Sequence, residues 1–108
     1  MLDENWTKSE KAVAHRAYNQ AYERETKALA DEVRRLANGI TEATEIWRLH
    51  DFLTRRRKDI DLKYDYRYSV LLLVFTRLIR EGWIKETELA GLSEDKLSRI
   101  RSLLEIRF

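Results

Sequence analysis

Apolar residues recur along the first third of the chain at steps of three and four. Val13, Ala17, Ala21, Ala28, Leu29, Val33, Leu36 and Ala37 trace one stripe, the spacing of a single helix face. Thr7 and Glu10 stand at capping-box spacing ahead of it, with Trp6 placed to pack beneath the first turn. Asn38-Gly39 closes the pattern, since glycine accepts the left-handed conformation that often ends a helix. The prediction is one helix of roughly 30 residues. Its stripe is narrow and rich in alanine, and the few remaining helices cannot cover all of it. The later part, around Leu29 and Val33, is expected to pack against a second copy of the chain.

A second helix is predicted from Thr41, with Glu42 and Glu45 suited to the positive end of the helix dipole. Ile46, Leu49, Leu53 and Ile60 mark its buried side. Arg55, Arg56, Arg57 and Lys58 fall towards its C-terminal end, and a boundary is expected near Asp59–Asp61, with Asp61 capping the next segment. A third helix, from about Tyr64 to Glu81, is the most apolar. Val70, Leu71, Leu73, Val74, Phe75, Leu78 and Ile79 leave little of its middle for solvent, so it should be the central core helix. Gly82 ends it. A short helical turn over Glu86–Ala90 and Gly91 precede a last helix, capped by Ser93, with Leu97, Ile100, Leu103 and Leu104 inward. The expected fold is all-α: a long N-terminal helix plus a compact bundle of shorter helices, one domain spanning 1–108, homodimeric.

Composition agrees with few joints. There is no proline, and only three glycines in 108 residues, whereas a β-sandwich needs turn residues about every ten positions. Twenty-one basic residues face 19 acidic ones, too even a balance to make nucleic acid the default partner. Without cysteine, disulfides, thiolate metal sites and a cysteine nucleophile are all excluded. Met1–Trp6 is acidic and polar, unlike a signal or transit peptide. The longest apolar run, Val70–Phe75, falls far short of the ~20 residues of a membrane span. A soluble, cytoplasmic protein without membrane insertion is expected.

Catalytic signals are sparse. The two histidines, His15 and His50, lie on different helices, and neither has a partner at metal-ligand spacing. No phosphate loop or nucleophile elbow occurs. One enzyme class passes this filter: small helical dimers of the chorismate-mutase type, which use arginines and a glutamate converging in a buried pocket. Here the arginines cluster at a helix end and read more easily as exposed. That same run could meet phosphates, with Trp47 and Phe52 for stacking, yet Asp51, Asp59 and Asp61 dilute its field. A solvated helix end is the simpler reading, and neither metal nor nucleic acid is expected.

On a helical wheel, Trp47, Asp51 and Phe52 lie off the buried stripe and His50 at its border. A tryptophan beside a carboxylate and a histidine, with arginines further along, has the make-up of a protein-docking hot spot. It equally fits Trp47 packing under the long first helix with its neighbours solvated. Tyr64, Tyr66 and Tyr68 read as packing residues with wet hydroxyls.

The stretch Trp47-Arg48-Leu49-His50-Asp51-Phe52-Leu53, then Arg56-Arg57, Ile60-Asp61 and Lys63-Tyr64-Asp65-Tyr66-Arg67-Tyr68-Ser69-Val70, closely resembles the fluorescence recovery protein family of cyanobacteria. The likeness extends to Ala21-Tyr22-Glu23-Arg24-Glu25-Thr26, Glu81-Gly82-Trp83, Glu88-Leu89 and Asp95-Lys96-Leu97, and so covers nearly the whole chain in register. It implies an all-α homodimer, without cofactor, that binds the orange carotenoid protein in its light-activated red form. It implies faster return to the orange form and help in releasing that protein from the phycobilisome, so that antenna fluorescence recovers. Such a protein would work in the cytoplasm, beside the thylakoid membrane to which phycobilisomes attach. The family's docking patch maps onto Trp47, His50, Asp51 and Arg57, and Ile46 falls at a position used in the dimer contact. Leu62 stands where glycine is expected, Leu73 where phenylalanine is common, and Arg55 where a small residue is usual. The ending Leu104–Phe108 also departs from the family. These differences leave the fold safe and bear on partner choice.

Overall fold

Thr7 and Glu10 form the predicted capping box. The Thr7 hydroxyl accepts from the Glu10 N–H at 3.1 Å, and the Glu10 carboxylate accepts from the Thr7 N–H at 2.9 Å. In the computed structural model, which describes residues 5–106, they launch α1 (Lys8–Asn38), a helix of 31 residues. Trp6 is buried beneath the first turn. The stop at Gly39 uses no left-handed residue, since its φ is −87°. Instead the N–H groups of Gly39 and Ile40 bond the Leu36 and Ala37 carbonyls, both at 3.2 Å, in a tightened last turn.

The second helix, α2 (Ala43–Lys63), folds back along α1. Thr41 is not its cap. Its N–H and hydroxyl are held by the Glu45 carboxylate at 3.4 and 3.2 Å, so the turn is closed from inside the helix. Nor does α2 stop at Asp59–Asp61. Asp61 pairs back to Arg57, and burial of Ile60 and Lys63 rewards a further turn. The chain then leaves Lys63 without helix, the Asp65 N–H turned back to the Lys63 carbonyl at 3.1 Å, and α3 covers only Leu71–Arg80. The reason is visible in Tyr64-Asp65-Tyr66-Arg67-Tyr68, an alternation with the period of an extended strand. Tyr64 meets Tyr18 and Tyr22 edge-on at 5.4 and 5.1 Å, Tyr66 meets His15 and Tyr18, and Tyr68 meets Trp6. The Tyr64 hydroxyl is not wet: it donates to Glu25 at 2.8 Å.

As predicted, α3 is central, with Leu71, Val74, Phe75 and Leu78 buried, although Leu73 points outward. Gly82, at φ +83°, closes it in a Schellman motif: Trp83 N–H bonds Leu78 and Gly82 N–H bonds Ile79. A 3-10 turn over Glu86–Leu89 leads to Gly91, where φ is +112° and a Cβ would lie 2.8 Å from Val13 Cγ2. Only glycine lets this loop press against α1. Ser93 caps α4 (Glu94–Glu105), which buries Ile100 and half-buries Leu97, Leu103 and Leu104. The divergent ending Leu104–Phe108 lies partly outside the described residues, as do residues 1–4 of the N-terminal segment.

All buried positions fall at or before Glu25, or from Ile60 onward; none lies within 26–59. Of the predicted α1 stripe, Ala17 and Ala21 are buried, Ala28 and Ala37 are exposed, and Ala14 and Glu25 join the buried side. The alanines admit α3 and its neighbours closely. Beyond them, α1 and α2 project as a hairpin. The radius of gyration, 16.9 Å over extents of 53 × 29 × 25 Å, exceeds the ~13 Å of a compact chain of this length.

Candidate functional site: the outer face of the second helix

The hairpin decides which side chains α2 shows to solvent. At 100° per residue, Trp47, His50, Asp51, Thr54, Arg57, Lys58 and Asp61 share an arc of about 120°. Leu49, Phe52 and Leu53 turn towards α1 and are half-buried. Trp47 is 65 % exposed, so it does not pack beneath α1. Its ring meets His50 edge-on at 6.3 Å, and His50 Nδ1 lies 3.4 Å from Asp51 Oδ1. Arg57, with 85 % of its side chain exposed, reaches among the described residues only Asp61, Nε to Oδ2 at 3.6 Å. From Trp47 to Arg57 the face runs about 15 Å along the axis. The four residues singled out from the sequence therefore stand together on one surface, with an apolar ring at one end and a cation at the other. An open groove between His50, Leu53, Thr54, Arg57, Lys58 and Asp61 runs along its edge.

The basic run is not a helix end, because α2 continues to Lys63. Its members also part company. Arg57 faces solvent, while Arg56, one residue earlier, turns inward to Glu25 at 3.0 Å and Asp59 at 3.5 Å.

Ile46, expected on the buried side, is 48 % exposed and borders the outer face next to Leu53 and Arg57 on the wheel. Leu29 and Val33 are half-buried on the facing side of α1.

Residues 6–104 match the family model described as photoprotection regulator fluorescence recovery protein. The chain belongs to the fluorescence recovery protein family. It is 41 % identical over 101 residues to the fluorescence recovery protein of Synechocystis sp. (strain ATCC 27184 / PCC 6803 / Kazusa), covering 94 % of this chain and 93 % of that one. Among solved structures it matches the fluorescence recovery protein of Fremyella diplosiphon at 50 % identity and a TM-score of 0.89, over 94 % of this chain and 99 % of that one. The Synechocystis sp. PCC 6803 structure matches at 40 % identity with the same TM-score and coverage. The all-helical architecture with a long first helix is thus the family's own, and the role it carries is regulation of photoprotection. Among the described residues no helix is long and apolar enough to cross a membrane. Arg55, Leu62 and Leu73, read from the sequence as departures from the family, all sit at exposed positions, where the fold tolerates a change of side chain.

Sequence reasoning missed one constellation. Glu25 is 1 % exposed, yet its carboxylate accepts from Lys63 Nζ at 2.6 Å, Arg56 Nη2 at 3.0 Å and the Tyr64 hydroxyl. Lys63, whose side chain is wholly buried, also reaches Glu81 at 2.7 Å and Asp59 at 3.8 Å. Arg77 closes the network on Asp59 and Glu81, both at 2.8 Å. Burial pushes the Glu81 carboxyl up, but hydrogen bonds from Lys63, Arg77 and Trp83 outweigh that and hold it below its ordinary value. The available signal was a charge at a stripe position: Ala17, Ala21 and Glu25 follow one another at steps of four.

Proposed function

We propose that this protein is a non-catalytic photoprotection regulator that binds the red, photoactivated orange carotenoid protein. On this reading it speeds the partner's return to the orange form and helps release it from the phycobilisome. The observation that carries it is the exposed face of Trp47, His50, Asp51 and Arg57 on a chain of this family. Accelerating a partner's relaxation requires no acid, base or metal. It requires tighter binding of the rate-limiting conformation than of the starting one, with ~1.4 kcal/mol of difference worth about tenfold in rate. Trp47 is the apolar anchor, and Asp51 and Arg57 pair with opposite charges on the partner. Arg57 is readily available, since an exposed pair such as Arg57–Asp61 is worth about 0.2–1 kcal/mol.

The active unit in this proposal is a homodimer. Half-covered Leu29 and Val33 and exposed Ile46 leave the hairpin with apolar area that a second copy would bury. Because Ile46 borders the outer face, the docking surface and the subunit boundary adjoin. The test is to mix the protein with photoactivated orange carotenoid protein and time the loss of red absorbance. Acceleration that depends on Trp47 and Arg57 supports the reading; an unchanged decay refutes it. A second reading, a different client protein, draws support from the departures Arg55, Leu62 and Leu73, because all three are surface residues. It predicts an unchanged decay alongside an intact dimer.

A further inference from the structure

The network around Glu25 lies where the hairpin meets the rest of the molecule, and it ties α1, α2 and α3 together. Chain continuity places α1 across both parts, because one helix runs through them. It does not place α2, which is followed by the non-helical segment at 64–67. Along the hairpin, half-buried Leu49, Phe52 and Leu53 of α2 face an α1 whose Leu29, Val33 and Leu36 are half-buried in turn. Contacts of that kind are forgiving. A helix with a stripe of leucines and a phenylalanine can turn by part of a step, or slide by a whole turn, and still bury similar area.

The charged contacts are not forgiving. Arg56 and Lys63 are a heptad apart and project from the same side of α2, so both reach Glu25 in one alignment. The run Arg55-Arg56-Arg57 offers three arginines, any of which could meet Glu25 after a slip. Only the observed alignment also brings a cation at the second position. A shift by one residue that put Arg57 against Glu25 would put Tyr64 in Lys63's place and leave Glu25 and Glu81 short of a buried cation. Leaving a buried charge unpaired is strongly unfavourable.

We propose that Glu25, Arg56, Lys63 and Glu81 form a register lock that fixes the height and fine rotation of α2 on α1, and so the position at which Trp47, Asp51 and Arg57 are presented. These are positioning residues. The lock does not depend on what docks on the outer face, and its test reads geometry alone.

The chain has no cysteine, so Thr44→Cys on α2 and Ser98→Cys on α4, both at exposed positions, carry a pair of spin labels. Labelled protein is diluted into excess unlabelled protein to suppress distances between copies. In the parent a single narrow distance distribution is expected. Glu25→Met/Lys63→Met removes one charge of each sign, leaving Arg56 on Asp59 and Glu81 on Arg77. This variant should stay folded and melt near the parent's temperature, because apolar replacement of a buried ion pair is often neutral or stabilising, offset here by the acceptor the Tyr64 hydroxyl loses. Its distance distribution should at least double in width or split, since a slide of one turn moves a label by about 5.4 Å along the helix axis. Arg56→Met, which keeps the Lys63–Glu25 contact, should broaden it less. A folded double variant with the parent's narrow distribution would overturn the proposal. So would an unfolded double variant accompanied by a folded Arg56→Met of unchanged width.

Discussion

Trp47→Ala separates docking from folding, because the two claims on this ring differ in size. With 65 % of the residue exposed, roughly a third of the ~250 Å² that a tryptophan offers is covered by its own helix and neighbours. At about 25 cal/mol per Å², that cover is worth at most ~2 kcal/mol to folding. Alanine's better helix propensity returns about 0.5 kcal/mol. The remaining ~160 Å² is available to a partner and is worth up to ~4 kcal/mol, while anchor residues commonly lose ~2 kcal/mol or more on truncation. The variant should therefore keep its helical circular dichroism and melt no more than about 7 °C below the parent. At concentrations below saturation it should accelerate red-to-orange recovery between about thirtyfold and several hundredfold less well. The assay is a titration of recovery rate against protein concentration, which distinguishes weaker binding from a slower bound step. Recovery equal to the parent at the lowest concentrations would refute the role of Trp47. A large drop in melting temperature would refute the reasoning from its exposure. Arg57→Glu should weaken acceleration in the same direction without a stability cost beyond the ~1 kcal/mol of an exposed pair.

Ile46→Glu places a charge at the edge of the uncovered hairpin face, and sedimentation at micromolar concentration should then give a mass near the single-chain 13.0 kDa; a persisting dimer would move the subunit contact elsewhere. Glu10 is buried, which raises its pKa, but bonds from Thr7, Ser93 and Lys96 prevail and hold it at about 2 against 4.5. Its contribution, on the order of 3 kcal/mol, is complete above pH 4.5 and lost as pH falls through 2. Urea midpoints should drop between pH 6 and pH 2.5 by clearly less in Glu10→Gln than in the parent, and equal drops would discredit the assignment. Gly91→Ala meets both a positive φ and Val13 Cγ2 at 2.8 Å, and should cost about 2–3 kcal/mol in denaturant unfolding. Adding Val13→Ala should recover the steric share and leave the backbone share.

The helices with strong local signals were legible in the residues: the Thr7–Glu10 box, the Gly82 stop, the Ser93 cap and the apolar middle of α3. Each depends on side chains within a turn or so of one another. The outer face of α2 was legible for the same reason, since a wheel needs only spacing. The resemblance to a known family then gave those residues a role to test.

What the sequence could not decide alone involves residues distant along the chain. Tyr64-Asp65-Tyr66-Arg67-Tyr68 carries a strand-like alternation, but nothing local says whether five residues of it will outcompete the apolar run just after it. The rings of His15, Tyr18 and Tyr22 on α1 settle that in favour of a non-helical path. Likewise Glu25 looks like one more surface glutamate until Lys63, 38 positions later, is brought to its carboxylate. Arg56 and Arg57 are equivalent by composition, and only the packing of α2 on α1 turns one inward and leaves the other in solvent. Burial and charge pairing across helices are set by tertiary packing, and that packing selects among the alternatives local spacing leaves open.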